Sequence, residues 1–279
     1  MLYNVREYHR PTDIDEAIRL LKRPNIHTVP LAGGVTLVGE GRPEVEAVVD
    51  LDALGLDFIE EQGSMLRLGA MVRLQAIVDH LRNKAGGVLA DAAHRMAGYH
   101  VRNAATLGGV LASGGVHSPL AVVLAVLGAH LTIYDGAAEQ TAPWLEIALQ
   151  NAAPRFQGSL LTAVTLDLPA AMGAAYEQVA RTPADHPIVC AAAMVQPTGG
   201  GNIEAVVVVG GLLKTLRVVH TAALETVESV AEQVTPADAS QADYQSDYLG
   251  SAEYRRGVAP VLARRALHSA LAQAGLRSG

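Results

Sequence analysis

Two glycine pairs constrain this chain most. They stand in Leu31-Ala32-Gly33-Gly34-Val35-Thr36-Leu37 and in Thr106-Leu107-Gly108-Gly109-Val110, and each leaves an apolar run in the first half of the sequence. Glycine accepts positive φ and carries no Cβ, so successive backbone N–H groups can turn toward one anion, such as a dinucleotide pyrophosphate. Taken alone, a glycine pair is ordinary punctuation between elements. The weight therefore falls on what surrounds each pair.

Pro11-Thr12, followed by Asp13, Asp15 and Glu16, is a helix start, and Ile14, Ala17, Ile18 and Leu21 recur at the spacing of one helix face. Residues 28–32 read as a short buried strand entering the first glycine pair, and 47–51 as the next strand. Residues 58–61 and 65–69, around Gly63-Ser64, form a hairpin. Helices are expected at 74–82, 87–96 and 120–127, with strands at 130–134 and 160–166. From about 171 the pattern becomes a three-strand meander at 174–181, 188–196 and 203–210. Helices at 222–233 and 252–274, separated by a polar loop at 235–247, complete the chain. The reading is an α+β protein in three parts, residues 1–55, 56–170 and 171–279.

With 279 residues, half of them hydrophobic, the chain exceeds the usual single-domain size. A net charge of -7 without a cluster of Lys and Arg argues against nucleic-acid or anionic-membrane partners. Its one cysteine, Cys190, allows neither an intrachain disulfide nor a cysteine-rich iron–sulfur or zinc site. No apolar leader opens the sequence, and no run of about 20 apolar residues escapes a charge or a glycine. The expectation is a cytoplasmic protein with no membrane span.

Tyr8-His9-Arg10-Pro11, Asp15-Glu16-Ala17-Ile18-Arg19-Leu20-Leu21 and Leu31-Ala32-Gly33-Gly34 resemble the opening of the FAD-binding medium subunit of the molybdenum hydroxylases, the family of the aerobic carbon monoxide dehydrogenases and xanthine dehydrogenases. Val101-Arg102-Asn103-Ala104-Ala105-Thr106-Leu107-Gly108-Gly109 is similar to that family's second flavin loop. Leu68-Gly69-Ala70, Ala175-Tyr176-Glu177, Ser251-Ala252-Glu253-Tyr254-Arg255-Arg256 and Arg264-Arg265-Ala266-Leu267 continue the likeness in the family's order, nearly end to end.

The resemblance implies a two-part FAD-binding domain of the molybdopterin-dehydrogenase type, followed by a three-stranded antiparallel sheet with helices. It implies an electron-transfer subunit. FAD held here would pass electrons from the iron–sulfur clusters of a small partner subunit to an external acceptor, while a molybdenum large subunit oxidises the substrate. The implied assembly is a dimer of heterotrimers, with no metal and no catalytic side chain in this chain. Its implied flavin contacts are Leu31, Ala32, Gly33, Gly34, Val35, Thr36 and Leu37 in the first loop, Thr106, Gly108, Gly109 and Val110 in the second, then Leu160, and Tyr176 beside the isoalloxazine ring.

Several of the family's polar positions are changed. Its first loop continues Gly-Gly-Thr-Asp-Leu where this chain has Gly34-Val35-Thr36-Leu37, and its second ends Gly-Gly-Asn where this chain has Gly109-Val110. The family's aspartate nine positions further on is Pro119, and the lysine after Tyr-Glu is Gln178. Ser113, His117 and Ser118 are the candidates to replace the lost side-chain contacts. At about 0.5–1.5 kcal/mol per hydrogen bond, losing two or three weakens affinity by roughly one to three orders of magnitude. A second reading follows, a flavin-poor or flavin-free structural subunit of the same fold.

Other chemistries find no support. The dinucleotide G-x-G-x-x-G, the P-loop and the G-x-S-x-G elbow are all missing, which leaves Ser159 as a turn residue. His186 and Cys190 stand about 13 Å apart if strand-bound, at ~3.3 Å per residue, too far for a nucleophilic pair. Cys190 is then a small buried apolar side chain. His94 and His100, even with Asp91, lack a third ligand. Arg102 and Asn103 are expected to support the second loop.

Overall fold

The computed structural model describes residues 3–84, 86–113, 118–150, 156, 158–182, 185–199, 202–211, 216–221, 227, 233 and 244–276. Two compact units emerge, one from residues 1–77, 99–115 and 129–166, the other from 78–98, 116–128 and 167–279.

The first unit opens with β1 (Glu7–His9), α1 (Ile14–Leu21), β2 (Thr28–Leu31), α2 (Val35–Glu40) and β3 (Ala47–Asp50). Asp13 caps α1 by accepting the Glu16 N–H at 2.9 Å, and Ala17 and Ile18 are buried, as the spacing predicts. The three strands form a parallel sheet in the order β1-β3-β2. Pro30, which cannot donate to a ladder, is tolerated because β2 is an edge strand. β4 (Ile59–Gln62) and β5 (Met65–Gly69) make the expected hairpin. With β6 (His130–Tyr134), β7 (Glu139–Pro143) and β8 (Leu160–Asp167) they build a sheet ordered β4-β5-β8-β6-β7. Helix α3 (Leu74–Leu81) starts in this unit.

The second unit contains α4 (Gly87–Met96), and the first resumes with α5 (Tyr99–Ala104) and α6 (Leu107–Ala112). Next comes α7 (Pro119–Val126), again in the second unit, while α8 (Trp144–Leu149) belongs to the first. Every residue of α7 is buried. It packs on β10 (Val189–Gly199) and β11 (Asn202–Gly211), and α4 packs on α7 and on β9 (Gly173–Val179). The sheet has four strands, ordered β12-β11-β10-β9, where three were expected. The fourth, β12 (Arg217–Thr221), is a short edge strand whose Arg217 and His220 hide it from a hydrophobic-pattern reading. The expected helix 222–233 and loop 235–247 fall almost wholly outside the described residues.

The last helix, α9 (Ala252–Gln273), fills the other face of this sheet. Ala259, Ala263, Ala266 and Ala270 meet Ala175, Ala191, Ala193 and Val207, small residues that let helix and sheet approach closely. The approach is tightest at Gly173, where an added Cβ would stand 1.9 Å from the Ala270 carbonyl oxygen.

Candidate functional site

The first glycine pair joins β2 to α2. Leu31 and Leu37 turn inward against Val29, Val45 and Val48, and Ala32 packs on the cluster that holds Ile18 and Leu51. This leaves Gly33 and Gly34 half-buried, with Val35 and Thr36 exposed. Gly34, the N-cap of α2, has a φ of 70°, which side chains rarely adopt. The first three N–H groups of a helix have no acceptor within it, and among the described residues no hydrogen bond takes up those of Val35, Thr36 and Leu37. These amides are the site's open donors.

Gly33 serves packing. A Cβ on it would stand 1.9 Å from the Ala104 carbonyl oxygen and 3.1 Å from the Ala105 Cα. The first loop therefore lies directly on the peptide that leads into the second, and the structure brings the two glycine pairs together.

In the second loop the backbone is already committed. Thr106 caps α6, its Oγ1 accepting the Gly109 N–H at 3.1 Å. The Leu107 N–H donates to the Val72 carbonyl at 2.9 Å, that of Gly108 to the Ala70 carbonyl at 2.7 Å, and that of Val110 to the Thr106 carbonyl at 3.1 Å. Each of these N–H groups thus already has a protein acceptor. Gly108 is buried, and a Cβ there would meet both the Cβ and the carbonyl oxygen of Ala70 at 2.9 Å. Its bare Cα is what lets α6 seat beside β5.

A charged network holds the loops in register. Arg73 donates from Nη1 to the Ala104 carbonyl and from Nη2 to Asp52 at 3.2 Å, and Asp52 also accepts from Arg10 at 2.9 Å. The Asp52 N–H donates to Asp50 at 2.9 Å, and Asp50 accepts the Tyr8 hydroxyl, which pushes that phenol up. Buried Arg102 donates to Gln75 on α3 at 2.9 Å, and the Asn103 amide to the Tyr99 carbonyl within its own helix at 2.9 Å. Arg10, Asp52 and Arg73 were missed because no local spacing connects them.

The remaining candidates fall in both units. Leu160 is 3% exposed and packs with Ala17, Ile18, Val49 and Met71 in the core of the first unit. Ser113 is exposed, its hydroxyl donating to the Val110 carbonyl at 3.3 Å. In the second unit Ser118 is buried, and its Oγ is the N-cap of α7, accepting the Ala121 N–H at 3.3 Å, with Pro119 beside it in the first turn. His117 lies outside the described residues.

Tyr176 also belongs to the second unit and is 3% exposed. Its hydroxyl donates to Gln178 Oε1 at 2.8 Å and hydrogen-bonds with Cys190, while the Arg95 guanidinium lies 5.9 Å from its ring centroid. Burial first, and then Cys190, pushes this phenol well up. Cys190 is fully buried, and desolvation pushes its thiol up to about 12. A thiolate is then scarce at neutral pH. Ellman's reagent at pH 8 should leave the folded protein unmodified and titrate Cys190 fully in denaturant, whereas rapid native labelling would mean that β10 opens.

Residues 3–169 match the model of the FAD binding domain in molybdopterin dehydrogenase, and residues 174–270 that of the CO dehydrogenase flavoprotein C-terminal domain. The carbon monoxide dehydrogenase medium chain of Afipia carboxidovorans is 31% identical over 291 residues, covering 96% of this chain and 97% of its own. The nicotine 6-hydroxylase medium subunit of Paenarthrobacter nicotinovorans is 28% identical, with coverage of 93% and 95%. Among solved structures, reconstituted CO dehydrogenase from Oligotropha carboxidovorans superposes with a TM-score of 0.84 at 26% identity, covering 98% of this chain and 99% of that one. Quinoline 2-oxidoreductase from Pseudomonas putida 86 shares the fold, with a TM-score of 0.83 at 24% identity and coverage of 98% and 99%.

Proposed function

The chain belongs to the molybdenum hydroxylase family as an FAD-binding medium subunit of an oxidoreductase, and from that premise we propose that its first glycine loop carries the cofactor's phosphates. The carrying observation is the open N–H set of Val35, Thr36 and Leu37 beside the bare Gly33-Gly34 backbone. These groups fit a pyrophosphate, since they offer convergent donors at a helix start without a side chain in the way. Bound FAD supplies the redox chemistry, taking up and releasing electrons. This chain's residues bind and orient: Gly33 fixes the first loop against the second, and Arg73 anchors the shared Ala104 carbonyl. No side chain acts as acid or base.

We place the iron–sulfur clusters on a small partner subunit and the molybdenum on a large one, in a cytoplasmic dimer of heterotrimers. The relatives' names as medium chains and medium subunits support this, as does the single cysteine, too few for a cluster. Among the described residues no helix is long and apolar enough to cross a membrane. The division into 1–55, 56–170 and 171–279 remains our reading of the domains, each containing one of the three sheets.

Because the second loop's amides are committed and Val35 and Val110 are apolar, FAD is held by fewer contacts. Titration by flavin fluorescence quenching should show weak, saturable binding. Val110→Asn should tighten it by about five- to tenfold, as one added hydrogen bond of ~1 kcal/mol would. No binding by either protein at ~1 mM FAD, a free energy near -4 kcal/mol, would overturn the flavoprotein reading in favour of a flavin-free structural subunit.

A further inference from the structure

The sheet beneath α9 accounts for the helix's buried face and leaves its outer face unmatched. Tyr254 and Val261, two turns apart on the same side of the helix, are 45% and 39% exposed. Gly257, Arg265, His268 and Ala272 continue that side, and all four are exposed.

Gly257 is the residue that the fold of one chain does not explain. It lies inside the helix, where glycine is a poor former. Its φ is not left-handed, and a Cβ built on it would meet nothing within 4 Å among the described residues. At Gly33, Gly108 and Gly173 the missing Cβ admits a close neighbour from elsewhere in the chain. At Gly257 no such neighbour is present among the described residues.

The charges of this face are divided along its length. Glu253 stands near the N-terminal end, with Arg264, Arg265 and His268 toward the other. Glu253 and Arg265 are exposed and have no ion pair among the described residues. They lie about 18 Å apart along the axis at ~1.5 Å per residue, too far to neutralise one another. Two such faces laid antiparallel are complementary, whereas laid parallel they set like charges together.

Helical geometry then selects a register. In an antiparallel pair centred level with Ala259, Val261 of each copy stands opposite Gly257 of the other, a knob over a bare Cα. The same register brings Glu253 beside Arg264 of the second copy on one flank and Tyr254 beside Arg265 on the other. An ion pair and a cation–π contact are thus each made twice by symmetry.

We propose that the outer face of α9 is the surface through which two copies of this chain pair, antiparallel about a two-fold axis. The pairing needs neither FAD nor a partner subunit.

Sedimentation velocity of the full chain over a concentration series should show a reversible monomer–dimer equilibrium. One helix face buries less than the ~800 Å² per partner of a standard interface, so a dissociation constant of about 10–100 µM is expected. Gly257→Leu fills the notch and should weaken pairing by ~10-fold or more. At dilution its thermal midpoint should stay at or above the parent's, because leucine is the better helix former. Glu253→Lys should weaken pairing about fivefold by facing Arg264 with a like charge. A parent that stays monomeric throughout would overturn the proposal. So would a dimer that both variants leave intact, since the copies would then meet elsewhere. A lowered midpoint in Gly257→Leu would also overturn it, by placing the glycine's role inside the monomer.

Discussion

Replacing Gly33 with alanine should abolish measurable FAD binding, weakening it by at least ~100-fold, or about 2.7 kcal/mol, with the far-UV circular dichroism unchanged. The added Cβ would lie 1.9 Å from the Ala104 carbonyl oxygen, and this obstacle is backbone that cannot rotate away. The same carbonyl accepts from Arg73, which is tied through Asp52 to Arg10, so moving it disturbs the network that positions both loops. Gly34→Ala is the control. Its Cβ would approach nothing closer than 3.5 Å, so the penalty is the strain of a φ of 70°, roughly 1–2 kcal/mol. It should weaken FAD far less than Gly33→Ala. Parent-like titration by Gly33→Ala would show that contact between the loops is not what holds the cofactor.

That difference between two adjacent glycines marks the limit of what the sequence discloses. A glycine pair is visible because its freedom is local, but whether the bare Cα serves a ligand or a neighbour depends on residues far along the chain. Ala104 decides it for Gly33, and Ala70 decides it for Gly108. The elements followed the same rule. α1 repeats a hydrophobic period long enough to read, and the Gly63-Ser64 turn marks the β4–β5 hairpin. α2 and α6 are six residues each and carry glycines, poor helix formers, so they escaped notice. Tertiary hydrogen bonds from Leu107 and Gly108 to Val72 and Ala70 hold α6 where propensity would not. One signal was available. Thr106 before Leu107 and Ser118 before Pro119 are N-cap residues opening apolar runs, and their hydroxyl oxygens accept the Gly109 and Ala121 N–H groups at the two helix starts.

Asp247→Ala should cost about 3 kcal/mol of stability, lowering the thermal midpoint by roughly 10 °C, because it strands a buried guanidinium. Arg255 is 1% exposed at the start of α9, donating to the Ile188 carbonyl and to Asp247. Asp247 keeps a quarter of its side chain in solvent, which puts the loss at the low end of the range for broken buried pairs. Burial alone would raise the Asp247 pKa, but the Leu249 and Gly250 N–H groups and Arg255 together lower it. The contribution of a carboxyl with a depressed pKa is full above its unfolded value and disappears as pH falls through the folded one. The parent should therefore lose this stability in acid, below the ordinary aspartate range, and Asp247→Ala should show a smaller acid-induced drop. The double variant Asp247→Ala with Arg255→Met removes the stranded charge as well, and it should unfold at a higher temperature than Asp247→Ala alone. Losses that simply add would mean that the two residues act independently and that the buried pair is not what anchors α9 to β10.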